Sequence, residues 1–270
     1  VSQIAYDPVK DRFAAYIKRS RPLRRVFYFL LDVFFLRGWN VRRRLRAELA
    51  TRPNAVILDA GCGFGQYDRF LLAGFPGVTI HAVDVKQDYL DACRHYYAAD
   101  IASGRITFAE ADLTKDTFAA DYDLVLCVDV LEHIEEDVLV MTTLRKALKP
   151  GGVMIMHSPS HLAEDDADGD EFFVGEHARP GYSRDDLHEK LMTAGFSGTD
   201  IRYTYGTLGH FAWEILIKWP MLWLTRSFAF VIVLPFWYAI TLLPGLVLMA
   251  VDVRQNNETG TGIMGVGRVK

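Results

Sequence analysis

Val56-Ile57-Leu58-Asp59-Ala60-Gly61-Cys62-Gly63-Phe64-Gly65 carries an apolar run into an acid and then sets glycines at alternate positions. A short run ending in an acid reads as a buried strand, and the glycines after it read as a tight strand-to-helix turn. Glycine permits the left-handed backbone such a turn needs and lets a ligand approach the main chain closely. The acid at the strand end can bond a ligand's ammonium or hydroxyl groups. The spacing Asp-x-Gly-x-Gly-x-Gly lacks the two-residue gap of the dinucleotide pattern G-x-G-x-x-G, which disfavours a nicotinamide dehydrogenase.

Working outward, apolar runs alternate with amphipathic stretches. Strands are expected at Ala55–Asp59, Val78–Val83, Arg105–Ala109, Tyr122–Val128 and Gly152–His157, with helices at Phe64–Ala73, Gln87–Ala98 and Glu132–Leu148. Such alternation implies an α/β fold with a parallel sheet and helices on both faces. Lys149-Pro150-Gly151-Gly152 reads as a sharp turn, and Ala163–Asp170 as an exposed acidic loop. Ser183 is expected to cap the next helix, with Asp185 and Asp186 in its first turn. Thr199–Tyr205 and Gly260–Val269 read as two further strands.

Three more acids stand at strand ends. Asp84 closes Ile80-His81-Ala82-Val83, 19 positions after Gly65, where an acid can take both ribose hydroxyls of an adenosine. Asp112-Leu113 follows the third strand, placed for an adenine amino group. Asp129 ends the fourth and leads into Val130-Leu131-Glu132-His133. All four acids fall on the same edge of one sheet.

On these residues, with Leu131-Glu132-His133 and Leu148-Lys149-Pro150-Gly151-Gly152, the chain resembles the class I S-adenosylmethionine-dependent methyltransferases, in particular a ubiquinone-type branch, from Asn54 to Phe196. The resemblance implies a Rossmann-like seven-stranded sheet whose last strand is antiparallel, and S-adenosylmethionine as cofactor. It implies that Asp59, Gly61, Gly63 and Gly65 hold the methionine part, Asp84 the ribose, and Asp112 and Leu113 the adenine. Cys62, Val85 and Asp129 complete the candidate cofactor set. The same branch associates its acid-x-x-Glu-His loop with a divalent ion, so Asp129, Glu132 and His133 are candidate ligands of Mg²⁺, although many relatives carry this loop without metal.

Transfer of an activated methyl group needs mainly in-line positioning, and an oxygen acceptor adds the need for a base or metal. His133, His157 and His177 are the candidate catalytic residues. Arg179 and Tyr182, in the polar run Gly175–Tyr182, are candidate acceptor-binding residues.

The flanks are less ordinary. Between Lys18 and Arg46 ten basic residues face one acid, Asp32, so that segment carries +9 while the rest of the chain sums to −13. This excludes a nucleic-acid binder overall and leaves a local basic patch. Residues 1–50 read as helical. Their apolar run Val26–Leu36, flanked by arginines, is too short to cross a bilayer and reads either as a helix packed on the domain or as an interfacial helix. Residues 51–210 and 253–270 form the expected main domain, and residues 211–252 an apolar insert between the sixth and seventh strands.

Within that insert, Ser227–Val251 is 25 residues without a charge. Pro235 and Pro244 are expected to interrupt it, and the chain must return to the same sheet, so a helical hairpin seated in one leaflet is expected rather than a span. A lid or a homo-oligomer interface is the alternative. Cys62, Cys93 and Cys127 form no metal or disulfide pattern and read as reduced thiols. With no secretory signal pattern at the N-terminus, the expected location is cytoplasmic, peripheral on the inner face of the membrane. The expected reaction is methyl transfer to oxygen or carbon of a hydrophobic or lipid-like acceptor. A non-catalytic scaffold and a soluble methyltransferase are the rivals.

Overall fold

The computed structural model describes residues 21–163 and 178–270. Two helices lead, α1 (Arg21–Phe34) and α2 (Leu36–Leu49), and then comes the alternation β1 (Val56–Ala60), α3 (Gln66–Gly74), β2 (Thr79–Asp84), α4 (Gln87–Tyr96), α5 (Ala98–Ala102) and β3 (Ile106–Glu110). The second half runs β4 (Tyr122–Val128), α6 (Asp137–Ala147), β5 (Leu148–Pro159), α7 (Arg184–Thr193) and β6 (Gly198–Thr204). A helical insert, α8 (Thr207–Trp213), α9 (Trp219–Arg226) and α10 (Leu234–Asp252), precedes β7 (Gly262–Arg268).

The seven strands lie in the order β3-β2-β1-β4-β5-β7-β6. The pairs from β3 to β5 are parallel, while β7 runs antiparallel to both β5 and β6. Alternate residues of each central strand feed opposite cores. Ile57, Leu124, Leu126, Val153 and Ile155 pack with Val41, Leu45 and Leu71 on one face. Leu58, Val125, Cys127, Met154 and Met156 pack with Val140, Leu144 and Leu187 on the other. Burial on both faces is why these strands read as continuous apolar runs.

Some expectations shift. The helix expected from Glu132 begins at Asp137, because Leu131–His133 closes a single 3₁₀ turn and Ile134 is extended. Lys149–Gly152 lies inside β5, which already pairs at Leu148 with Tyr122 and absorbs the turn as a register shift, with Gly151 at φ 76°. The N-terminal helical reading breaks at Phe35, which is extended (φ −101°, ψ 105°). Several arginines there are built into the fold: Arg24 is 2% exposed and donates to Ala92 O, Phe64 O and Tyr28 Oη. The acidic loop expected at 163–170 falls almost wholly outside the described residues.

The insert is a helical hairpin. From α8 the chain passes through a π turn, Glu214–Lys218, into α9, and α10 returns against α8 and that turn. Trp237 Nε1 donates to Ile215 O and Tyr238 Oη to Leu216 O, both at 2.8 Å. A Cβ on Gly245 would stand 2.6 Å from Leu216, so this glycine sets the close approach. The prolines do not interrupt α10. Pro235 sits in the first turn, where no N–H is needed, and Pro244 lies inside a helix that continues to Asp252. The carbonyl that Pro244 leaves without its helical donor belongs to Ile240, a residue that is 74% exposed.

Candidate functional site

The four strand-end acids lie at or just beyond the C-terminal ends of β1 to β4, along one edge of the sheet. Gly61 N and Cys62 N both donate to Val83 O, fixing the turn after β1 onto β2. Gly61 has φ 84°, and a Cβ there would stand 2.3 Å from Val130 Cγ2. Gly63 is different: also left-handed, at φ 52°, it has nothing within 4 Å of an added Cβ and faces open space. Gly65 then starts α3.

Asp84 is held by its backbone neighbours. Oδ2 accepts from Gly63 N at 2.8 Å and Oδ1 from Lys86 N at 2.9 Å. A carboxylate oxygen has two lone pairs, so each keeps one for a hydroxyl donor. Val85, beside it, is 57% exposed. Asp112 turns into its own loop, with Oδ1 accepting from Thr114 N and Oγ1 and Oδ2 from Lys115 Nζ. Those bonds, led by the one from Lys115, hold its carboxyl down at about 2. Leu113 is buried.

Asp59 is 2% exposed, and its Oδ2 meets no N–H or O–H donor. Burial is the main cause that raises its carboxyl well above the usual range, with Asp68 of α3 second. Burial likewise raises Asp68, to about 7, against the opposing pull of Asp59 and Arg24. Both oxygens of Asp68 likewise meet no N–H or O–H donor among the described residues, so burial acts on two adjacent carboxyls at once.

Arg37, in the first turn of α2, was not among the sequence candidates. It pairs with Asp129 Oδ2, and its backbone N–H donates to Tyr205 Oη at 3.1 Å. Its charge and that of Asp59 both act on the buried hydroxyl of Tyr67, whose titration burial pushes up. Among the described residues, Arg37 Nε, Tyr67 Oη and Asp59 Oδ2 are buried atoms without a hydrogen-bond partner. Buried polar atoms are rarely left unpaired unless a ligand completes them. Arg37 and Asp59 both act on Tyr67, so the three lie near one another, and two donors beside one acceptor suit the carboxylate and ammonium of an amino acid, which is the methionine end of S-adenosylmethionine. The cradle therefore fits that group.

The histidines part company. His157 on β5 is buried, with Nδ1 3.1 Å from Asp129 Oδ1 and Nε2 3.0 Å from Thr204 Oγ1. Burial first, and the Arg37 charge second, lower it to about 3, so it is neutral and engaged at both ring nitrogens. Asp129 itself sits at φ 53° and is thereby clamped between His157 and Arg37. His133 is exposed at the end of its 3₁₀ turn, whereas Glu132 is buried and accepts from Ser158 Oγ at 2.7 Å. Asp129, Glu132 and His133 are thus turned three ways, and among the described residues no three His, Cys, Asp or Glu side chains converge as a metal site. His177 lies outside the described residues.

Arg179 and Tyr182 form a brace. Arg179 donates to Leu131 O, Ile134 O, Glu135 O and Tyr182 Oη and pairs with Asp137. Tyr182 is fully buried and donates to Asp137 Oδ2 at 2.8 Å. Together they tie the 178–182 segment to the turn after β4.

Residues 58–154 match the family described as a methyltransferase domain. A trans-aconitate 2-methyltransferase of Rhizobium meliloti is 30% identical over 122 residues, 45% of each chain. A ubiquinone biosynthesis O-methyltransferase of Hydrogenovibrio crunogenus is 30% identical over 99 residues, 37% of this chain and 40% of that one. The chain thus spans less than half the length of these curated relatives. Among solved structures, phosphoethanolamine N-methyltransferase 2 of Haemonchus contortus, in complex with S-adenosyl-L-methionine, superposes with a TM-score of 0.62 at 16% identity, over 99% of this chain and 60% of that one. An S-adenosylmethionine-dependent methyltransferase of Mesorhizobium loti gives 0.55 at 19% identity, over 86% and 99%. Sheet order and these similarities agree: residues 58–154 match a methyltransferase domain, and the chain shares the fold of these solved methyltransferases.

Proposed function

We propose that the chain transfers the methyl group of S-adenosylmethionine to oxygen or carbon of a hydrophobic, lipid-like acceptor at the inner face of a membrane. Arg37 and Tyr67 would hold the cofactor's carboxylate and Asp59 its ammonium. Asp84 would hold the ribose, and Asp112–Leu113 with Val85 would border the adenine. The cofactor supplies a methyl group already activated on a sulfonium. The protein's part is then to orient it and to exclude water. His157 keeps Asp129 in place. His133, exposed at the end of the loop, would take a proton from an oxygen acceptor. A carbon acceptor activated by its own electrons would need no such base.

The observation that carries the acceptor class is the outward face of α10. Phe236, Ile240 and Leu243 are each more than 70% exposed, and Val247 and Val251 continue the stripe. Across the hairpin Phe228 and Ile232 stand at 78% and 71%. Helices of water-soluble domains turn such stripes inward, and exposed ones of this extent mark membrane or protein contacts. At 19 residues with a mean hydropathy of 1.9 and 11% of its window buried, α10 is long and apolar enough to enter a bilayer. Its inner face joins Leu36, Ala212 and Leu216 in a cluster that reaches Tyr205, the acceptor of the Arg37 N–H. The apolar hairpin and the methionine cradle therefore share a wall.

The test is calorimetry with S-adenosylmethionine and S-adenosylhomocysteine, followed by methyl transfer from labelled cofactor to vesicle-borne phenolic or prenylated acceptors. Binding and transfer that both require vesicles support the reading. Cofactor binding with transfer only to water-soluble acids would replace the acceptor class. No cofactor binding would favour a non-catalytic scaffold. A stable dimer in detergent-free buffer, with the α10 stripe protected, would assign that stripe to a second copy.

A further inference from the structure

Beneath the C-terminal end of α10 lies a cavity of about 660 Å³, within the roughly 300–1,000 Å³ usual for small-molecule sites. Its walls are Trp39, Arg42, Arg43 and Arg46 of α2, Asp32 of α1, and Ala250, Val253 and Arg254. Four guanidinium groups thus face one carboxylate, which is already occupied: Asp32 pairs with both Arg42 and Arg69. Among the described residues, no carboxylate pairs with Arg43, Arg46 or Arg254. Arg43 reaches Val253 O, and Arg254 donates one nitrogen to Ala250 O at 2.7 Å. Capping the last carbonyls of α10 uses one nitrogen of each and leaves further donors on both. Arg46 lies over the Phe70 ring at 4.9 Å, a stacking that fixes the plane of its guanidinium.

A cavity with a surplus of three positive charges, walled by planar donors, calls for an anion with several acceptor oxygens, and phosphate has that geometry. The source of the phosphate follows from its neighbour. The helix that supplies Ala250 carries the exposed apolar stripe, and Val247 and Val251 bring that stripe to the turn that lines the cavity. We propose that this cavity seats the phosphate-bearing headgroup of an anionic phospholipid, whose acyl chains lie along the α10 stripe. The proposal rests on the membrane-surface reading above and adds to it a defined headgroup site. Such a site would register the hairpin at one depth, with arginines at the phosphate level and the apolar stripe below.

The test compares the full chain with an R46Q/R254Q variant, neither residue being part of the cofactor cradle. Sedimentation is measured with phosphatidylcholine vesicles and with vesicles holding a third phosphatidylglycerol, and calorimetry with inorganic phosphate and with glycerol phosphate. A third protein, F236E/L243E, probes the apolar stripe alone. Circular dichroism and melting curves confirm that all three are folded. The expected result is tighter wild-type binding to the anionic vesicles and an affinity about 25-fold weaker in R46Q/R254Q, with binding to neutral vesicles unchanged. An R46Q/R254Q variant that keeps the wild-type preference would overturn the headgroup site while leaving membrane association intact. Failure of the wild type on every vesicle overturns the membrane reading and the site with it. Capture of free phosphate without any preference for anionic vesicles would assign the cavity to a soluble ligand instead.

Discussion

At the sheet edge Asp84 offers each carboxylate oxygen to a backbone N–H, at 2.8 and 2.9 Å, and keeps a second lone pair on each, whereas in the hairpin Phe236, Ile240 and Leu243 are left exposed by the described residues. Both regions are incomplete, but in opposite senses. The cradle lacks polar partners for Asp59, Arg37 and Tyr67, and the hairpin lacks an apolar one. An unpaired buried polar atom costs roughly 1–3 kcal/mol, and an exposed apolar side chain forgoes roughly 1.5–3 kcal/mol of burial. Each region therefore states the chemistry of what completes it. Their common wall through Leu36, Tyr205 and Arg37 places the two completions side by side.

The comparison breaks most sharply at the hairpin. A triple variant F236E/I240E/L243E should lower vesicle affinity by at least 100-fold, since three apolar side chains each lose roughly 1.5 kcal/mol or more of burial. Cofactor affinity in detergent should stay within about twofold, because none of the three reaches the cradle. Parallel loss of cofactor binding would show that the hairpin is part of the domain core rather than a separate surface.

At the cradle, D84A should weaken S-adenosylmethionine binding by about 100-fold, as two charge-assisted hydrogen bonds to ribose are lost at roughly 1.5 kcal/mol each or more. Gly63 N and Lys86 N also lose their acceptor, so the turn after β1 loosens. R37L should cost about tenfold, seen as a raised KM for the cofactor with kcat less affected. R37K should rescue this only in part, because an ammonium cannot serve Asp129 and a ligand carboxylate with a planar fork. A change confined to kcat would move Arg37 from cofactor binding to acceptor control.

What the sequence disclosed divides along the same line. Strands and strand-end acids were legible because each is a local signal: an apolar run buried on both faces, then an acid where the run stops. Asp59, Asp84 and the glycine turn needed nothing distant. Arg37 was invisible because it precedes Gly61 by a helix and gains its meaning only when α2 folds across the sheet edge. The one hint was its place in the basic segment, immediately before Gly38 and after the extended Phe35. His157 read as a candidate base because its partner Thr204 is 47 residues away. The uninterrupted course of α10 through Pro244 was missed for a related reason. A proline breaks a helix when its neighbours cannot relieve it, and neither the Leu216–Gly245 packing nor the outward position of Ile240 can be read from composition.

The smallest effect, and the finest probe of the cradle, is a proton. Burial raises both Asp59 and Asp68, and Asp68 adds to the rise at Asp59. A ligand ammonium at Asp59 Oδ2 favours the ionised form, so binding should release up to one proton wherever Asp59 is still protonated in the free protein. Affinity should accordingly rise with pH through the raised titration of Asp59 and level off above it. Calorimetry in buffers of different ionisation enthalpy reads the proton directly. D68N removes the repelling partner, lowers the push on Asp59 and should shrink the release. Identical binding enthalpies in every buffer would mean that the ammonium does not meet Asp59. The unpaired oxygen at the end of β1 would then answer to a different part of the ligand.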